Sequence, residues 1–223
     1  MIIGNGLLAE AFLKYNSDSI VFFASGVSNS NEISELKFNR EKELLLKTIN
    51  KIDKKLFIYF SSCYVDNVDM KYYHHKKNME KIIQNNVSNY NIFRLPQVLG
   101  NGGNTNNLIN FLFNSIKNGT EFKLFKNATR NLIDIEDVVK IVIFILHNNL
   151  FNNRIVNIAS SKNISILNLV NLIENKLNKK AEYIIENIGE DIYIDVSDIE
   201  VLLNKLEIKF DDVYINSVLK KYY

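Results

Sequence analysis

Phe57–Gln84 reads FIYFSSCYVDNVDMKYYHHKKNMEKIIQ, and the rest of the chain is organised around it. Leu56 to Phe60 is a run of β-forming residues that ends in a hydroxyl pair, Ser61-Ser62. After a short loop a helix opens on two tyrosines, each followed four residues later by a lysine, Tyr72/Lys76 and Tyr73/Lys77. Residues i and i+4 share a helix face, so a phenol and an ammonium are held side by side. The cation favours the phenolate and is expected to draw the tyrosine pKa down from about 10. A hydroxyl at the strand end can bond the same reacting oxygen. Such a group can protonate a carbonyl oxygen during reduction or deprotonate an alcohol during oxidation.

Helix geometry chooses between the two pairs. At about 100° per residue, Tyr72, Lys76, Met79 and Ile83 fall on one narrow stripe, whereas Tyr73, Lys77, Glu80 and Gln84 fall on a more polar one. The apolar stripe packs inward. Tyr72 and Lys76 are therefore expected at the site, and Tyr73 and Lys77 toward water.

Composition bounds the remainder. The 223 residues are 47% hydrophobic and 23% charged with a net charge of +2, an ordinary globular balance in which nucleic acid is not implied as a partner. The single cysteine, Cys63, rules out an internal disulfide framework and fits a reducing cytosol, so a cytoplasmic location is expected. No apolar run approaches the roughly 18 residues of a membrane span. The first apolar residues lack a basic flank and run into glycines, so neither a signal peptide nor a membrane association is expected. His74 and His75 come with no third ligand in a metal-site pattern, and no metal is expected.

Working outward, Met1–Ile3 is a very short strand followed by Gly4-Asn5-Gly6-Leu7-Leu8-Ala9 and a helical pattern to Tyr15. In that context G-x-G-x-x-A offers a tight turn at Gly4, close approach of a pyrophosphate at Gly6 and tight helix–strand packing at Ala9. A second strand, Ser19–Ala24, opens into Ser25-Gly26. A helix spans Arg40–Ile52. Further strands are read at Asn91–Leu95, Glu121–Phe125, Ile155–Ala159 and Ala181–Ile185, alternating with helices at Leu108–Lys117, Glu136–His147, Ile166–Leu177, Val196–Leu203 and Val213–Tyr222. Asp134 stands where it would cap the helix that follows. Alternating strands and helices predict an α/β protein with a parallel sheet and right-handed crossovers.

Gly4-x-Gly6-x-x-Ala9, the Ser62 strand end and Tyr72-x-x-x-Lys76, in that order, resemble the short-chain dehydrogenase/reductase superfamily, and more narrowly its extended NAD-dependent epimerase/dehydratase group. FFASGVSNS, SSCYV, YYHHKKNME, RLPQVLG and RNLIDIEDV are each similar to a segment of that group, and the resemblance runs nearly the whole length. It implies a Rossmann-like doubly wound parallel sheet with a dinucleotide-binding core over 1–160 and a small α+β substrate lobe over 161–223. It also implies that Ser62, Tyr72 and Lys76 are catalytic, and that Gly4, Asn5, Gly6, Leu7, Leu8, Ala24, Ser25, Gly26, Lys76, Leu95, Pro96 and Gln97 hold NAD or NADP, NADPH slightly favoured. Ser62, Cys63, Asn106, Asn107, Leu108 and Arg130 would contact a nucleotide-sugar substrate, and a homodimer is implied.

The chain also departs from the group. Tyr15–Leu56 has room for one strand and one long helix, so part of the adenine-binding half is missing, together with the acidic residue that reads the ribose 2′-hydroxyl. Cys63 and Tyr64 stand where the group's 4,6-dehydratases carry an acidic pair. The resemblance therefore implies a reductase of a 4-keto sugar in surface-polysaccharide synthesis, or an epimerase using the same residues. A Rossmann protein that senses a nucleotide, or a scaffold without turnover, is the reading from another class.

Overall fold

The computed structural model describes residues 1–101 and 107–223; Asn106, one of the expected substrate contacts, lies outside the described residues. In chain order the strands are β1 Ile2–Ile3, β2 Ile20–Phe23, β3 Leu56–Ser62, β4 Tyr90–Leu95, β5 Gln97–Leu99, β6 Phe122–Phe125, β7 Thr129–Arg130, β8 Leu132–Asp134, β9 Arg154–Asn157, β10 Ile164–Ser165 and β11 Tyr183–Glu186. The α-helices are α1 Leu7–Ala11, α2 Glu35–Ile49, α3 Lys71–Asn86, α4 Leu108–Asn118, α5 Ile135–His147, α6 Ile166–Leu177, α7 Glu200–Lys205 and α8 Tyr214–Tyr222.

Five strands form a parallel sheet in the order β1-β2-β3-β4-β9. Alternation along the strands divides its side chains between two cores. Phe22, Ile58, Phe60 and Phe93 face α1, α5 and α7, while Val21, Phe23, Phe57 and Tyr59 face α2 and α3. Phe12 follows α1 and stacks on Phe22 and Phe60, with ring centroids 4.9 and 5.3 Å away. Burying such a ring contributes about 1.5–3 kcal/mol and holds the five-residue α1 down on the sheet. The fold is thus the Rossmann-like α/β architecture expected from the sequence.

The expected run of right-handed crossovers does not hold throughout. The connections β1–α1–β2 and β2–α2–β3 advance across the sheet in the same direction but pass over opposite faces, so they cannot share a hand. Phe12 and Leu8 keep α1 on the same face as α5, while α2 and α3 lie on the other.

A second core lies beyond the sheet. It is built by α4, α6 and α8 around Leu112, Ile116, Leu169, Ile173 and Leu219, and it draws on residues 99–132 as well as on the C-terminal segment. Short pairs frame it: parallel β5–β8 and β6–β11, and antiparallel β7–β10. The expected cap is present, since the Asp134 side chain accepts the Glu136 N–H at 2.9 Å. The same carboxylate accepts from Tyr222 at 2.7 Å and Lys221 at 3.0 Å, which fastens α8 to the start of α5.

Gly4 shows why the first turn needs glycine. Its φ is +127°, and a Cβ built there would lie 2.5 Å from the Ala24 carbonyl oxygen. Gly4→Ala is expected to cost about 1–3 kcal/mol or more, because backbone strain is compounded by a backbone clash. Thermal unfolding should register this as a lower midpoint than that of Gly6→Ala, where a Cβ meets nothing within 4 Å.

No described helix is long and apolar enough to cross a membrane, and among the described residues no three His, Cys, Asp or Glu side chains are grouped as a metal ion would require.

Candidate active site

β3 is buried on both faces, and its C-terminal end delivers Ser61 and Ser62 to the rim of the sheet, as in any α/β fold whose ligand crevice lies beyond the strand ends. The next helix, α3, packs its inward stripe against the sheet. Lys76, Met79 and Ile83 are buried as the helical periodicity predicts. Glu80 is buried too, contrary to its place on the polar stripe, because Arg94 on β4 holds both its carboxylate oxygens at 2.9 and 2.7 Å. The same guanidinium and Lys77 bind Asp66, each at 2.6 Å, and fix the loop between β3 and α3.

Two clefts meet above the strand ends. The larger encloses about 790 Å³ and is lined by Ser62, Tyr64, Tyr72, Tyr73, Pro96, Gln97, Asn107, Leu108 and Arg130, among others. The smaller encloses about 200 Å³ between Leu8, Ala24, Ser25, Gly26, Ser61, Ser62, Tyr72, Lys76, Leu95 and Pro96. Ser62, Tyr72 and Pro96 line both, so Ser62 and Tyr72 stand where the clefts join. Gly4, Asn5 and Gly6 lie exposed at the end of β1. Leu7 packs toward Gly100, whose added Cβ would meet the Leu7 side chain at 2.8 Å. Cys63 is buried beneath the site, with its thiol donating to the Arg94 carbonyl at 3.2 Å and its pKa pushed up by burial. Asn107 caps α4 by accepting the Asn110 N–H at 2.8 Å.

The expectation that Tyr73 faces water is corrected. Its ring is half-buried, borders the larger cleft and meets the Tyr72 ring edge-on at 5.0 Å. Burial pushes its pKa up to about 12. What separates the two tyrosines is therefore the smaller cleft and the buried lysine, which only Tyr72 adjoins.

Lys76 is not a free cation beside the phenol. Its Nζ donates to Glu41 Oε1 at 2.9 Å and to the Tyr59 hydroxyl at 3.2 Å, and lies 5.9 Å from the Tyr72 ring centroid. Burial opposes its charge, but Tyr59 and Glu41 outweigh that and hold its pKa well above the usual lysine range. For Tyr72 the expected fall in pKa is reversed. Burial raises it, Lys76 pulls it back and Glu41 adds to the rise, with a net shift upward. The ammonium does lower the phenol's pKa, but burial outweighs it and Glu41 adds to the rise.

Glu41 is the residue the sequence reading missed. It is 3% exposed on α2 and accepts from the Val27 N–H at 2.8 Å, from Tyr59 at 3.2 Å and from Lys76, with His75 Nε2 at 3.1 Å. Burial would raise its pKa, yet Lys76, His75 and the Val27 N–H bring it down to about 2. It ties the loop after β2 to β3 and α3 through one carboxylate. A legible signal existed: Phe38, Glu41, Leu45 and Thr48 follow helical spacing, and all are buried, so the acid stands within an inward face.

Two buried polar atoms at these clefts have no partner among the described residues, Ser61 Oγ at the smaller and Gln97 Nε2 at the larger. Such a group costs about 1–3 kcal/mol when left unbonded, so both clefts fit ligands with polar atoms. Ser62 Oγ accepts the Tyr64 N–H at 3.3 Å and keeps its own proton available to a ligand.

The model of the NAD dependent epimerase/dehydratase family matches residues 3–159, the segment that carries both clefts' central residues. The chain belongs to the NAD-dependent epimerase/dehydratase family. No curated protein matches it. Among solved structures of similar fold is the UDP-glucuronic acid 4-epimerase of Bacillus cereus with UDP-glucuronic acid and NAD, with a TM-score of 0.72 at 16% identity over 97% of this chain and 76% of that one. RMD of Pseudomonas aeruginosa complexed with NADPH gives 0.71 at 14% identity over 91% and 79%. The UDP-glucose 4-epimerase of Thermotoga maritima with UDP-glucose gives 0.66 at 17% identity over 96% and 81%.

Proposed function

We propose that this chain is a nicotinamide-dependent oxidoreductase acting on a nucleotide-activated sugar, most simply by reducing a 4-keto group. The observation that carries the reading is the junction of the two clefts, where Ser62 and Tyr72 face both and Lys76 adjoins the smaller. The smaller cleft suits the nicotinamide nucleotide of NADH or NADPH, with Ala24, Ser25, Gly26, Leu95 and Pro96 around it and Ser61 as a further hydroxyl. When bound, that cofactor supplies the hydride.

The chain's own groups supply the rest. Tyr72, whose pKa is net raised, is protonated at neutral pH and donates its proton to the keto oxygen. Ser62 donates a hydrogen bond to the same oxygen. Lys76 has three protons, of which Glu41 and Tyr59 take two, leaving one for a ribose hydroxyl. In the larger cleft Arg130 gives one donor to the Thr129 carbonyl at 2.6 Å and keeps the others for phosphate oxygens, with Asn107 and Leu108 alongside. We assign the sheet unit, 1–160, to the cofactor and the C-terminal segment, 161–223, to a substrate lobe whose core also draws on residues 99–132.

An epimerase would use the same residues. It must retain its cofactor through both half-reactions, and a sheet ending at β1 favours a reductase that exchanges it. A nucleotide sensor or scaffold has no need of Ser62, Tyr72 and Lys76 together. We further propose a cytoplasmic homodimer through the outer faces of α2 and α3.

The test is loss of reduced-nicotinamide fluorescence when purified protein meets a panel of nucleoside-diphosphate 4-keto-hexoses. Consumption supports the proposal; a folded protein that consumes neither NADH nor NADPH across the panel contradicts it. In the same assay Arg130→Ala should raise KM for the sugar nucleotide roughly 10–100-fold, the loss of a charged hydrogen bond, with kcat nearly unchanged.

A further inference from the structure

We infer that this chain grips only the nicotinamide mononucleotide half of its cofactor, and that the adenylate half contributes little to recognition. The inference rests on the oxidoreductase reading and adds to it which part of the dinucleotide the protein reads. Open α/β sheets bind a dinucleotide at the point where strand order reverses, with one nucleotide over each half of the sheet. Here the order β1-β2-β3-β4-β9 contains no reversal, and β1 is the edge, paired on one side alone among the described strands. The second half, on which an adenosine would lie, has no counterpart among the described strands.

Local chemistry agrees with the topology. Beyond β2 come Ala24-Ser25-Gly26-Val27, with no carboxylate for an adenine-side ribose. Glu41, whose carboxylate reaches Val27, is buried and already bonded to Val27, Tyr59, His75 and Lys76. On the outer side of β1 and α1, Glu10 and Leu13 are open to solvent. The smaller cleft measures about 200 Å³, below the roughly 300–1,000 Å³ of small-molecule sites, so it does not enclose a whole dinucleotide. Its orphaned hydroxyl, Ser61 Oγ, lies at the nicotinamide end beside Ser62 and Lys76. Gly6, over which a Cβ would meet nothing within 4 Å, leaves room for a phosphate.

The experiment is a set of fluorescence titrations of the full chain with reduced nicotinamide mononucleotide, NADH and NADPH, with ADP-ribose as competitor. The three reduced compounds should bind with dissociation constants within about tenfold of one another, and ADP-ribose in hundredfold excess should leave the mononucleotide complex intact. A dinucleotide bound more than tenfold tighter than the mononucleotide, or displacement by ADP-ribose, overturns the inference while leaving the oxidoreductase reading in place. Failure of all three to bind a folded protein overturns both.

Discussion

Tyr72→Phe is expected to lower kcat by about 10²–10⁴-fold, the range that a positioned general acid contributes. The substitution removes one hydroxyl at the junction of the clefts and leaves the ring, its edge-on contact with Tyr73 and its place over Lys76 intact. The thermal midpoint should therefore stay close to that of the unmodified chain, and the reduced nicotinamide should bind with similar affinity. Tyr73→Phe is the matched control. Its hydroxyl borders only the larger cleft, so kcat should fall less than tenfold. If Tyr73→Phe were the damaging change instead, the assignment of the proton donor would be wrong. The net upward shift of the Tyr72 pKa also has a consequence for pH: the donor stays protonated beyond the ordinary tyrosine range, so reduction should keep its acid form across neutral and mildly alkaline pH.

Glu41→Gln is expected to be the most destabilising single change at the site. It leaves Lys76, 5% exposed, without its counter-charge, and breaking a buried pair on one side costs roughly 3–5 kcal/mol. For a chain of this size that corresponds to a fall of roughly 6–20 °C in the thermal midpoint. The pH dependence gives a second readout. The Glu41 pKa is depressed in the folded chain from 4.5 to about 2, so its contribution is present above 4.5 and is lost as pH falls from there toward 2. That contribution is about 3 kcal/mol, at 1.36 kcal/mol per unit. Glu41→Gln should flatten this acid limb of the stability curve. A variant that unfolds with the same acid profile as the parent would show that the Glu41–Lys76 pair does not stabilise the fold.

Much of this was legible in the residues. The Tyr72/Lys76 stripe could be chosen because Met79 and Ile83 mark the inward face, and both are buried. Asp134 was recognisable as a cap because an acid before an apolar helical run has one orphan N–H to meet. The shortened chain between Tyr15 and Leu56 announced a reduced sheet, and β1 is indeed its edge. What was not legible came from contacts between elements. Glu80 read as a solvent residue because its partner, Arg94, lies on the next strand, and only the folded sheet brings them within 2.9 Å. Glu41 read as one polar residue of an amphipathic helix, although its spacing with Phe38 and Leu45 placed it inside. The direction of the Tyr72 pKa was missed because burial of the phenol, which only the folded chain sets, raises it by more than the i+4 lysine lowers it. Strands β5, β7 and β10 are two or three residues long, and their pairing is imposed by the packing of the second core rather than by local propensity.

The central claim is that Tyr72 and a bound nicotinamide act on the same sugar carbon. The most direct measurement is transfer of deuterium from cofactor labelled at the nicotinamide C4 to a nucleoside-diphosphate 4-keto-hexose, read by mass spectrometry of the sugar product. The account predicts one deuterium on the sugar carbon and a product hydroxyl that takes its proton from solvent, with transfer suppressed in Tyr72→Phe. A product that carries no label, or undiminished transfer in Tyr72→Phe, would contradict it.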